Sequence, residues 1–127
     1  EVKLLTGEAN IIKGARKVMD FGPKTVIMKK GEHGCVLLQG DEVFAVPAFP
    51  LADVCDPTGA GDSFAGGFMG HLGAANDLSF DTLRQAVVHG SVVASFTCER
   101  FGPDRLSEIA SADVQKRFDA FRNLVSF

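Results

Sequence analysis

Three short apolar runs, TVIMKK (25–30), CVLLQ (35–39) and VFAVPAF (43–49), are separated only by GEHG (31–34) and GDE (40–42). This pattern constrains the fold more than any other feature. Apolar runs of this length, bounded by glycine and acidic turn formers, predict three strands, with GDE as a turn of hairpin type and the third strand ending near Pro47. The rest of the chain reads as helix. From Ala9 to Phe21, Ile11 or Ile12, Ala15, Val18 and Met19 recur at helical spacing until Gly22-Pro23 stops them. A second helix is expected from Gly59 to about Leu72, and a third from Phe80 to about Thr97 with Asp81 as its N-cap. RFGPDRL (100–106) reads as a break, and a last helix runs from Asp113 to about Leu124 with Val114, Phe118 and Phe121 on its apolar stripe. A helix, three strands and then helices make an α/β chain whose sheet is covered by helices.

Composition removes several function classes. The net charge is −3 and the basic residues are scattered, which leaves no electrostatic footprint for nucleic acid or an acidic membrane surface. No apolar run approaches the roughly 18 residues of a membrane span, and no signal peptide is visible at the start. Three cysteines, an odd number without a C-x-x-C pair, argue against a disulfide framework or a zinc site and fit a reducing, cytoplasmic setting.

The chemistry concentrates in DPTGAGD (56–62), which leads into the second helix. A helix start leaves backbone N–H groups unpaired at the positive end of the dipole. Gly59, Ala60 and Gly61 carry almost no side chain, so an anion can reach those groups, as in a phosphate or oxyanion cradle. Asp62 then stands in or next to the first turn, where the dipole favours a carboxylate. Such a carboxylate can take a proton from a substrate hydroxyl while the cradle stabilises a transferring phosphoryl group. A plainer reading makes Thr58 or Gly59 an ordinary N-cap and Asp62 a first-turn acid that suits the dipole. The dinucleotide fingerprint G-x-G-x-x-G fails at Phe64, and the P-loop pattern is absent.

DPTGAGDSFAGGF (56–68) closely resembles the C-terminal signature D-T-x-G-A-G-D-x-F of the ribokinase-like (PfkB) sugar and nucleoside kinases, with Pro57 where threonine is usual. Three further stretches agree in order. EVKLLTGE (1–8) resembles the end of the family's N-x-x-E segment, VIMKKGEHGCVL (26–37) its K-x-G-x-x-G strand–turn–strand, and HGSVVASFTCERFG (89–102) its late helix and loop. The resemblance implies the C-terminal part of a three-layer α/β/α fold, with residues 1–127 as the nucleotide-side portion of a kinase whose substrate-choosing half lies upstream.

By the same resemblance, Asp62 is the base that activates the acceptor hydroxyl, and Gly59, Ala60 and Gly61 form the anion hole. Lys30, Gly31 and Gly34 lie beside the nucleotide phosphates, and His89 and Ser91 lie near the adenine edge. Glu1 acts on Mg2+ through water, and Asp56 and Thr58 help hold a monovalent cation such as K+. The implied ligands are ATP and a small sugar or nucleoside, and the family admits a homodimer. Plainer readings stand beside these: an Asx turn for Asp56, an ordinary β-turn for Gly31 and Gly34, and a satisfied buried histidine for His89. Gly66, Gly67, Gly70 and Ala74 read as close helix-to-sheet packing, and Cys55 lacks a neighbouring base. The alternative function is a nucleotide-binding fragment without turnover.

Overall fold

The computed structural model describes residues 1–99 and 109–127. The break expected at 100–106 lies outside the described residues. The chain divides into two compact units, Glu1–Pro47 and Ala48–Phe127. No glycine- or serine-rich linker marks that boundary, which is why the sequence reads as one piece.

The first unit begins with α1 (Val2–Thr6) and α2 (Ile11–Met19), followed by β1 (Thr25–Lys29), β2 (Cys35–Gln39) and β3 (Glu42–Val46). The short helix α1 has no apolar period long enough to announce it; it closes on Gly7 in the left-handed region, and Thr6 Oγ1 donates to the Val2 carbonyl. Asn10 caps α2, its side chain accepting the Lys13 N–H. The helix is therefore slightly shorter at both ends than its apolar spacing suggests. Gly14 allows the two helices to meet, since a Cβ there would lie 2.5 Å from Val2 Cγ1.

The strands pair antiparallel in the order β1-β2-β3, with Ile27 opposite Leu37 and Leu37 opposite Phe44. One face of the sheet buries Val26, Met28, Val36 and Leu38 with Ala15 of α2, and Ile12, Val18 and Met19 pack around them. At roughly 1.5–3 kcal/mol for each fully buried aliphatic side chain, this small cluster stabilises the unit. The third strand stops at Val46, before Pro47, which has no N–H to give the ladder.

The second unit holds α3 (Ala60–Ala75), α4 (Phe80–Glu99) and α5 (Ser111–Val125). Asp81 does not cap α4 as expected. Ser79 does: its hydroxyl accepts the Thr82 N–H at 3.4 Å, its carbonyl accepts the Leu83 N–H, and the Asp77 carboxylate accepts from both the Ser79 and Thr82 hydroxyls. Asp81 sits in the first turn, where it pairs with Arg84.

Of the α3 positions read as helix-to-sheet packing, Gly67 packs against α4 instead. A Cβ on Gly67 would lie 2.9 Å from Val93 Cγ2 and 3.1 Å from Gly90 Cα, and one on Gly90 would strike Phe64. Gly66 and Gly70, read with Gly67 in the sequence, have no close neighbour among the described residues. On the far side α5 buries Phe118 and Phe121, and Phe121 meets Phe49 edge-on at 5.4 Å.

Candidate active site

The loop before α3 is held at two points. The Cys55 N–H donates to the Cys98 carbonyl at 2.9 Å, which also satisfies an end carbonyl of α4. Asp56 forms an Asx turn, accepting the Thr58 N–H on Oδ1 at 2.8 Å. The Thr58 side chain, and then its amide, hold the Asp56 carboxyl below the usual carboxylate range. The plainer reading of Asp56 is thus present in the fold, and it leaves an ionised carboxylate beside the helix entrance. The Cys98 thiol is pushed up by burial and by the Asp56 charge, which makes it a poor nucleophile.

The chain then turns sharply. Gly59 takes φ 81° and ψ −4° as the residue before α3, and it offers no side-chain cap. The Ala60 N–H donates to the Pro57 carbonyl at 3.0 Å and the Ser63 N–H to the Gly59 carbonyl at 2.9 Å. Among the described residues, no backbone carbonyl takes the N–H of Gly61 or Asp62. Those two donors, which lack a backbone partner among the described residues, stand at the positive end of a helix of 16 residues. Ala60 therefore serves the entrance through its small side chain, because its N–H is engaged in the turn.

A groove of about 500 Å³ opens here, lined by Thr58, Gly59, Asp62, Ser63, Gly66, Gly67, Val93 and Thr97. Asp62 is exposed at its mouth. Ser63 Oγ and Thr97 Oγ1 are 2.7 Å apart and tie the first turn of α3 to the last turn of α4. Sequence reasoning missed Thr97 in this role, since nothing in the local pattern pairs it with a residue 34 positions earlier. It also missed Gly66, which lines the groove and needs no packing partner.

The structure thus brings Asp56, Thr58, Gly59, Ala60, Gly61 and Asp62 together. Lys30, Gly31 and Gly34 belong to the other compact unit, at the turn between β1 and β2. There the Lys30 N–H donates to the Gly34 carbonyl at 2.8 Å around a single 3-10 turn, Gly31–His33. Glu1 precedes α1, exposed and without a side-chain capping bond. His89 and Ser91 lie on α4, with His89 about 12 Å along the axis from Thr97 at 1.5 Å per residue. The His89 ring is stacked between His71, at 4.3 Å, and Phe118, at 4.2 Å. Among the described residues, no three His, Cys, Asp or Glu side chains gather to hold a metal ion.

A family model described as pfkB family carbohydrate kinase matches residues 1–110. The chain belongs to this family. It is 34% identical over 105 residues to a fructosamine kinase of Bacillus subtilis, covering 78% of this chain and 35% of that protein. It is 40% identical over 96 residues to an inositol 3-kinase of Arabidopsis thaliana, covering 72% of this chain and 26% of that one. Among solved structures, the aminoimidazole riboside kinase of Salmonella enterica, complexed with aminoimidazole riboside and an ATP analogue, superposes with a TM-score of 0.77. The two are 26% identical, and the match covers 98% of this chain and 39% of that one. A ribokinase from Thermotoga maritima matches at TM-score 0.75 and 30% identity, over 92% of this chain and 37% of that one. The fold is therefore part of the ribokinase-like α/β fold. The pfkB-family chain spans 26% to 35% of the length of the two curated relatives described here.

Proposed function

We propose that this chain is the nucleotide-side portion of an ATP-dependent kinase that transfers the γ-phosphate to a hydroxyl of a sugar or nucleoside. The observation that carries the reading is the start of α3. Two N–H groups without a backbone partner among the described residues, and an exposed carboxylate, meet there at the edge of an open groove. The relatives named as kinases of small hydroxylated molecules support the same class.

In this reading the Gly61 and Asp62 amides bind oxygens of the moving phosphoryl group, while Gly59 and Ala60 keep the approach bare. Their donors are fixed before the reaction, so no reorganisation is needed as charge develops, and each such donor is worth about 10²–10³ in rate. Asp62 orients the acceptor hydroxyl and takes its proton. Lys30, Gly31 and Gly34 serve the nucleotide phosphates, and His89 and Ser91 the adenine side. Mg2+ bound to the nucleotide would offset phosphate charge during transfer. Such an ion would be held mostly by phosphates and water, with Glu1 acting through water. Asp56, kept ionised by Thr58, and Thr58 itself suit a monovalent cation such as K+.

The test is Asp62→Asn in a protein that includes the upstream half, with sugars and nucleosides as acceptors. Phosphotransfer should fall by about 10²–10⁴, the usual worth of a general base, with Mg–ADP affinity nearly unchanged. Full transfer by Asp62→Asn would refute the assignment of the base. A second reading, nucleotide binding without turnover by this chain alone, is favoured by the 26% to 35% coverage of those relatives. Mg–ADP binding by calorimetry with no phosphotransfer would select it.

A further inference from the structure

Arg117 lies on α5, in the same compact unit as the phosphate cradle but not in its wall. Its Nη1 donates to Ser95 Oγ at 2.8 Å, and its Nη2 lies 2.9 Å from both carboxylate oxygens of Glu99. Its guanidinium also covers the Phe96 ring, with Cζ 3.6 Å from the centroid. One side chain therefore grips three of the five residues from Ser95 to Glu99. The remaining two hold the cradle. Thr97 Oγ1 meets Ser63 Oγ at 2.7 Å, and the Cys98 carbonyl accepts the Cys55 N–H at 2.9 Å.

The last turn of a helix is where it frays, because its end carbonyls lack intrahelical partners. Here that turn must stay put, since the start of α3 and the Asp56 loop both hang from it. Ser95 is buried, and its hydroxyl donates to the Val92 carbonyl at 2.6 Å while accepting from Arg117. The Arg117–Glu99 pair is partly shielded, at 17% and 31% side-chain exposure, so solvent screens it less than an open surface pair. The planar fork and stacking face are specific to arginine; a lysine ammonium cannot meet Ser95, Glu99 and Phe96 in the same way.

We propose that Arg117 is a positioning residue for the phosphate cradle, acting through the last turn of α4 on Ser63 and on the Cys55–Asp56 loop. The role rests on the cradle reading above, and misplacement of such a site by about 1 Å can cost about 10²-fold in rate. It is tested with Arg117→Met, Arg117→Lys and a control, Phe121→Leu, which thins the α5 core beside Phe49, a ring the Arg117 guanidinium also approaches at 5.1 Å, while leaving Ser95, Phe96 and Glu99 of the clamp unaltered. Amide hydrogen exchange at Cys55 and Mg–ADP affinity are measured where each variant is folded. Arg117→Met should speed Cys55 exchange about tenfold and weaken Mg–ADP about tenfold. Arg117→Lys should fall between, and Phe121→Leu should lower Tm while leaving both readouts near wild type.

Unchanged Cys55 exchange in folded Arg117→Met overturns the proposal, as does an equal rise in Phe121→Leu. If Arg117→Met does not fold, Arg117→Lys decides in the same way. Failure of Mg–ADP to bind a wild-type protein that includes the upstream half would overturn the phosphate reading alone, because Cys55 exchange still reports whether Arg117 governs the loop.

Discussion

Gly34 and Gly59 both sit at positive φ, 83° and 81°, and both close a turn that the family resemblance assigns to phosphate. Their surroundings are opposite. A Cβ on Gly34 would lie 2.1 Å from the Val46 carbonyl oxygen and 2.6 Å from Pro47 backbone atoms. Among the described residues, a Cβ on Gly59 would meet only Thr97 Cγ2, at an ordinary 3.9 Å. The first glycine is required because the chain itself fills the space. The second is required for its backbone angle, and among the described residues nothing crowds the space beside it. A bare helix entrance with room around it is what a ligand site needs, and a crowded glycine turn is what a sheet needs to close.

The largest effect expected from this contrast is at Gly34. Gly34→Ala adds backbone strain of about 1–3 kcal/mol and overpacking of about 1–3 kcal/mol. The sum, about 2–6 kcal/mol, should show as a lower urea midpoint with the m-value unchanged. A loss below about 1 kcal/mol would mean that β3 can shift to admit a methyl group, and the contrast with Gly59 would fail.

Gly66 sharpens the other side of the comparison. It lies inside α3, lines the groove, and among the described residues nothing beyond its own helix turn comes within 4 Å of its ideal Cβ position. Gly66→Ala should stabilise the chain by about 0.5–1 kcal/mol through helix propensity alone. It should also place a methyl group in the groove and weaken Mg–ADP binding, so that Tm rises while affinity falls. Unchanged affinity beside a raised Tm would remove this part of the groove from the nucleotide site.

The three strands were legible because short apolar runs and turn residues are local signals, and the observed strands lie within or one residue from the runs that announced them. The entrance to α3 was legible for the same reason: Gly59 to Asp62 are consecutive, so their chemistry can be read without knowing what packs nearby. What stayed hidden is non-local. Thr97 reaches Ser63 only because α3 and α4 cross at Gly67 and Gly90, and a glycine-rich helix in a sequence does not say whether it meets a sheet or another helix. Ser79 displaced Asp81 as the cap because Asp77 organises two hydroxyls around it, a cluster that no single-residue preference reveals. His89, given both a ligand and a core reading by sequence, is stacked between two rings of its own unit.

That stack supplies the smallest effect and a separate check on the helical unit. Burial first, and then the charge of His71, hold the His89 pKa below its ordinary value of 6.5. The ring is stacked at 4.3 Å on a second imidazole from α3 and at 4.2 Å on Phe118 from α5, with the Arg122 guanidinium 5.0 Å from the far ring. Its surroundings thus include a second titratable group and a cation. Because the folded value is depressed, the unfolded chain binds a proton that the folded chain refuses between the folded value and 6.5. The contribution is fully present above 6.5 and is lost as pH falls through the folded value. Asp56 and Asp77 are also held low, but from 3.8, so they act in a more acid window. Urea midpoints should therefore decline modestly between about pH 7.5 and about pH 5.5. His89→Phe, which keeps a ring between His71 and Phe118 and removes the proton site, should flatten that decline. An undiminished slope in His89→Phe would assign the titration elsewhere and leave the stack as packing alone.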